Sequence, residues 1–234
     1  MTVVRKLALL VALGACAALP DSAAQAAGTG PAAMPAPRTA PDRQITPEQQ
    51  ATTAYNAGVK QIEKAADYEA DAAKASSPEK RDKAMKKAGA AYEKALDSFH
   101  DATSLNPSMY QAWNYTGFAL RHLGRYDTAL ESYAQALRLK PGFVEAIEYR
   151  GEAYLGLNRL DDARGAYMEL FSASRKHADQ LLAAMQKFVD ARRTDPAGMQ
   201  PQALDEFAKW VQERSTIAQQ TASLDTSTAS TSWH

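Results

Sequence analysis

From residue 48 to residue 220 the apolar positions fall at helical spacing, broken by short polar or glycine-containing turns. The clearest unit runs from residue 110 to residue 143. Two short amphipathic helices are predicted there, with Gly124 at the reversal between them. Gly117 on the first helix and Ala129 on the second are the small residues at the expected crossing, where the absence of bulk lets two backbones approach. Trp113 and Tyr133 fill the wider space beside it, and Pro141 stops the second helix after Leu139 and Lys140.

The pattern recurs at a period of about 34 residues. Gly117, Tyr126, Ala129 and Tyr133 become Gly151, Leu160, Ala163 and Tyr167, with Ile147 at the tryptophan position and Tyr154 supplying an aromatic ring that Leu120 replaces. Residues 144–175 are therefore a second copy, departing from the first at Arg150 and at Arg175, which stands in place of the proline. Without that proline the second helix is expected to fray or to run on toward Arg175. In the other direction the period lands on Tyr92, Ala95, Phe99, Ala102 and Pro107, the second helix of an earlier unit. Asp82 and Lys83 occupy the leucine and glycine positions of its first helix. That helix is instead assigned to ATTAYNAGVKQIEKAADYEA, with Gly58 as the small residue, so residues 48–109 form a divergent copy with two lengthened helices and a turn near Ser76, Ser77 and Pro78.

Together Trp113, Gly117, Leu120, Gly124, Tyr126, Ala129, Tyr133, Ala136 and Pro141 resemble the markers of a tetratricopeptide repeat, with Thr116 replacing a leucine and Leu120 a tyrosine. The resemblance implies an all-α fold, a right-handed α-α superhelix of about three hairpins, each able to bury its apolar side only against neighbours. Residues 176–220 carry two further helical stripes, Leu181, Leu182, Met185, Phe188 and Val189, then Leu204, Phe207, Ala208 and Val211. They read as capping helices for the open end of the stack, with Pro201 at the start of the last.

The two ends read differently. Residues 1–26 have the layout of an export signal: Arg5 and Lys6, an apolar run from Leu7 to Leu19, and Ala24-Gln25-Ala26 as a cleavage site. The expected location is periplasmic, after secretion across an inner membrane. Leu13-Gly14-Ala15-Cys16 also resembles a lipobox, so acylation of Cys16 and a membrane anchor is the alternative. Residues 27–47 are a Pro- and Ala-rich linker, and residues 221–234 a polar tail expected to be disordered. Loss of Arg5, Lys6 and Asp21 with the signal leaves 25 basic and 26 acidic residues, no charge excess to favour nucleic acid, and no cysteine for a disulfide, a nucleophile or a metal.

Enzymatic chemistry is not indicated. His100, His122 and His177 are too far apart for a two-histidine metal helix, and no nucleophile elbow, phosphate loop or zinc helix is present. Asp161 and Asp162 fit the start of a helix, where carboxylates are favourable, better than an acid–base pair. Lys74, Lys80, Arg81, Lys83, Lys86 and Lys87 make a solvated basic face with Glu79 and Asp82 at supporting spacing. No cofactor is called for.

The resemblance also implies a ligand face on the first helices, formed here by Gln111, Asn114, Phe118, Arg121 and His122, then Glu145, Glu148 and Glu152, with Tyr55 and Val59 on the divergent first copy. The three glutamates share one helical face and repel, which a basic partner would relieve; a hydrated acidic stripe is the plain alternative. Tyr115, Glu145 and Tyr149 occupy positions where the family's carboxylate clamp needs an asparagine and two basic residues, which argues against that clamp. The expectation is a non-enzymatic scaffold or adaptor for a peptide or protein. Its alternatives are a homo-oligomer built through the C-terminal helices, or an outer-membrane-anchored lipoprotein assembly factor.

Overall fold

A computed structural model describes residues 45–229, with side-chain environments through residue 221. The export signal, Cys16, nearly all of the linker and residues 230–234 lie outside the described residues. Eight helices follow one another: α1 Pro47–Ala73, α2 Pro78–Leu105, α3 Tyr110–His122, α4 Tyr126–Leu139, α5 Val144–Gly156, α6 Leu160–Ala173, α7 Arg175–Thr194 and α8 Pro201–Ala229. No strand occurs among the described residues. Each helix packs on the next as antiparallel hairpins, giving an all-α solenoid.

Local chemistry sets the boundaries. Ser77 caps α2, its Oγ accepting from the Lys80 amide at 3.4 Å, and Pro78 sits where a missing amide proton costs nothing. The turn is thus where the sequence places it, and α1 and α2 are 27 and 28 residues long against 13 and 14 for α3 and α4. Gly124 turns the chain at φ 73°, and Asn158 does the same job one period later at φ 57°. Asparagine tolerates this left-handed geometry better than most residues with a Cβ.

Three expectations are corrected. The helix start at Pro47 shortens the linker, because proline suits the first helical position. Lacking a proline at Arg175, α6 neither frays nor runs on: Ser174 is extended, its amide bonds the Leu170 carbonyl at 2.7 Å, and Arg175 opens α7. At the other end α8 continues to Ala229, through most of the segment expected to be disordered. Asp161 and Asp162 do lie in the first turn of α6, where they pair with Arg164 and Arg159 at 2.9 and 2.8 Å.

The periodic positions are the core. Ala95, Ala129 and Ala163, with Phe99, Tyr133 and Tyr167, are all 0% exposed. A Cβ built on Gly117 would meet the Tyr133 ring at 2.6 Å, and one on Gly58 would collide with Phe99, the residue one period before Tyr133. The glycine is therefore an aromatic seat as much as a helix crossing. Gly151 differs: its missing side chain is replaced by Leu181 of α7 at 2.6 Å, with Ala166 of α6 at 3.2 Å. Tyr167 turns away, making an edge contact with Trp210 of α8 at 5.4 Å. Leu181, Met185, Phe207 and Val211 are fully buried in the same cluster, each side chain of this size contributing about 1.5–3 kcal/mol of burial.

Candidate functional site

The first helices of the hairpins form one layer. α1, α3, α5 and α7 touch in succession, while α2, α4 and α6 stand further from one another, so the first helices line the inner side of the curve. Rings bridge this layer. Tyr55 of α1 lies 5.8 Å from Tyr115 of α3, and Phe118 of α3 lies 5.1 Å from Tyr149 of α5, both edge to face. Phe118 also contacts His122 at 4.5 Å and Tyr115 at 6.2 Å. All of these rings are half-buried, so the layer presents a continuous aromatic wall.

A string of polar side chains sews the same helices together. The His122 Nδ1 donates to Glu69 Oε1 at 2.9 Å, the Tyr92 hydroxyl donates to the same oxygen at 3.0 Å, and Arg121 donates to His122 Nε2 at 3.2 Å. That arrangement puts the neutral imidazole's proton on Nδ1. Arg121 continues to Glu152 of α5 at 2.6 Å and lies over the Phe118 and Tyr149 rings at 5.2 and 5.6 Å. Burial opposes the Arg121 charge, but the Glu152 carboxylate together with Tyr133 and Tyr149 outweighs it and holds the guanidinium above its usual range. Burial likewise opposes ionisation of Glu69, and His122, the bond from Tyr92 and the Arg121 charge together reverse the balance, so its carboxyl is held below the usual range.

The α5 glutamates do not form a uniform acidic stripe. Glu152 is paired with Arg121, and Glu148 is 6% exposed beside His177 of α7 at 3.9 Å. Burial first, and then the like charge of Glu152, push Glu148 up to about 8. Burial pushes His177 down. Glu145 is half-buried with no ion-pair partner among the described residues. The repulsion expected between the three is thus relieved from within, by Arg121 and by proton uptake at Glu148, rather than left wholly for a partner.

The remaining expected positions divide. Tyr55 and Phe118 stand in the aromatic wall, while Val59 packs against the core of the first hairpin. Asn114 is 3% exposed, and its Oδ1 has no hydrogen-bond partner among the described residues. Gln111 is half-buried one turn before it on the same helix face. Glu69, Tyr92 and His177 join the site without being expected there. Their roles depend on contacts across hairpins, and a carboxylate among several on a long polar helix gives no local signal of them. In the sequence Tyr115 and Tyr149 stand out only as misfits to a clamp, although their aromatic character at equivalent positions one period apart is a usable sign.

Two tetratricopeptide repeat models match the chain, over residues 86–142 and 120–193. The chain is a tetratricopeptide repeat protein. Repeats of this family are generally non-enzymatic protein-interaction modules, and the fold supports a protein-interaction scaffold here. A similar solved structure is the first TPR of Spaghetti (RPAP3) bound to the HSP90 peptide SRMEEVD, at 16% identity and a TM-score of 0.46, covering 62% of this chain and 97% of that one. No curated protein matches the chain.

Proposed function

We propose that this repeat protein is an adaptor that holds a peptide or protein segment against the inner layer of α1, α3 and α5. The observation that carries the reading is the half-exposed aromatic wall formed by Tyr55, Tyr115, Phe118 and Tyr149. A repeat that needed these rings only for stability would bury them as it buries Tyr92, Tyr133 and Tyr167. Rigid aromatic side chains give large contact area at little entropic cost, which suits a recognition surface. The export pattern of residues 1–26 supports placing the adaptor in a bacterial envelope, soluble in the periplasm or anchored through Cys16.

Site-specific photocrosslinking tests the groove. A benzophenone side chain at Gln111, on the inner face, is expected to capture a partner in the source cell. The same group at the exposed Glu131 of α4 is expected to capture none. Equal capture at both positions, or capture at Glu131 alone, refutes the groove. Mass spectrometry of the mature N-terminus checks the location: a chain starting near residue 27 supports the soluble form, and one starting at an acylated Cys16 supports the anchor.

A further inference from the structure

The inner wall already holds one cation. Arg121 lies over Phe118 and Tyr149 with Glu152 closing the arrangement at 2.6 Å, so two rings and a carboxylate make a seat for a guanidinium. Beside it the same materials recur without a cation. Tyr115 meets Tyr55 at 5.8 Å and Phe118 at 6.2 Å, both edge to face, and stacks on Phe99 at 5.5 Å. Burial and the carboxylates of Glu145 and Glu63 push the Tyr115 phenol up, which places both acids within electrostatic reach of its hydroxyl. Among the described residues neither glutamate has an ion-pair partner, and no cation lies over Tyr55 or Tyr115.

We infer that the wall takes a lysine or arginine side chain of a peptide partner, seated against Tyr55 and Tyr115 and neutralised by Glu63 and Glu145. This rests on the adaptor reading above and adds the chemistry of the partner. Electrostatics favours it. Around Tyr115 and Tyr149 Glu152 is neutralised by Arg121 and Glu148 by its proton, so the charge left over is that of Glu63 and Glu145, with the exposed Lys176 at the α7 end. An acidic peptide would add charge of the same sign beside partly desolvated carboxylates, where repulsion is poorly screened.

The test is selection of a random displayed peptide library on the full chain, repeated on a Glu63→Gln/Glu145→Gln variant and on Gln111→Trp, which crowds the same face. A melting curve on each variant establishes that it is folded; both changes are at half-buried or exposed positions. The expected result is enrichment of lysine and arginine on the native chain, lost on the double variant. A selected basic peptide should then bind the variant about tenfold more weakly, as the loss of its carboxylate partners implies. Peptides displaced by Gln111→Trp yet lacking a basic excess would overturn this inference and leave the adaptor reading intact. Basic peptides that bind the double variant unchanged would overturn it in the same way. A selection that yields no peptide sensitive to Gln111→Trp would overturn both.

Discussion

The hairpins α3–α4 and α5–α6 carry the same small residue in the same register and use it differently. Gly117 is filled by Tyr133 from its own hairpin, whereas Gly151 is filled by Leu181 from α7, and Tyr167, the counterpart of Tyr133, packs on Trp210 of α8. An internal repeat closes on itself before it stacks. The last one is completed by the helices that follow. The C-terminal pair is therefore structural material for α5–α6, not a detachable lid, as a one-dimensional array with nearest-neighbour coupling requires.

The largest effect should come from removing that borrowed side chain. Leu181→Ala leaves a void over Gly151 and is expected to cost about 2–5 kcal/mol, lowering the thermal midpoint measured by circular dichroism. If the midpoint stays where it was, α7 is only a cover and the comparison fails.

The junction of α5 with α7 should also be the pH-sensitive one. The folded Glu148 carboxyl titrates near 8, above its ordinary value of 4.5. Its contribution is fully present below pH 4.5 and is lost as pH rises toward 8, at a slope of at most about 1.4 kcal/mol per pH unit. His177 works the other way: burial lowers it, so its contribution is complete above pH 6.5 and is lost as pH falls through its folded value. At Glu148 the charges of Glu152 and Glu145 add to the effect of burial while Arg121 and Lys176 oppose it; at His177 Glu145 opposes the effect of burial and Lys176 adds to it. Glu148→Gln should match the native chain near pH 4.5 and exceed its melting temperature near pH 8.5. A difference that does not change with pH would remove Glu148 from the account.

At α3–α4 the corresponding test is a methyl group. Gly117→Ala puts a Cβ into the Tyr133 ring, and overpacking of this kind costs roughly 1–3 kcal/mol. Urea denaturation should show a lower midpoint with an unchanged slope. Indifference to the methyl would mean that the ring moves freely, and the seat would lose its meaning.

How much of this was legible follows from where each signal resides. The turns at Ser77, Gly124 and Pro141 and the buried Ala129 and Tyr133 are short-range matters of backbone and volume, and they stand in the residues themselves. The long first hairpin was legible too, because Gly58 and Phe99 keep their pairing although the spacing changes. The inner face was only half legible. Position along the helix showed that Arg121 and Glu152 share the inner layer, but not that they would pair with each other across two hairpins, because that depends on the stacking distance. The same limit applies to Glu148, whose burial is made by α7. Leu181 reads as one more member of an apolar stripe, and nothing in its neighbours says that it replaces Tyr167.

The smallest prediction separates two glycines in one hairpin. Gly151 and Gly165 both lie within helices, α5 and α6, where glycine lacks the propensity of alanine by up to about 1 kcal/mol. A Cβ on Gly165 would meet nothing within 4 Å, while one on Gly151 would meet Leu181 at 2.6 Å. The unfolded-state entropy gained by glycine is the same at either site, so the difference between Gly165→Ala and Gly151→Ala isolates the packing contribution of α7. Gly165→Ala should stabilise the chain by about 0.4–1 kcal/mol and Gly151→Ala should destabilise it. In a Leu181→Ala background the penalty at Gly151 should shrink, because the new methyl group then enters space that the leucine has left. A double-mutant cycle measures that coupling directly, and strict additivity would show that Leu181 does not fill the position of the missing side chain.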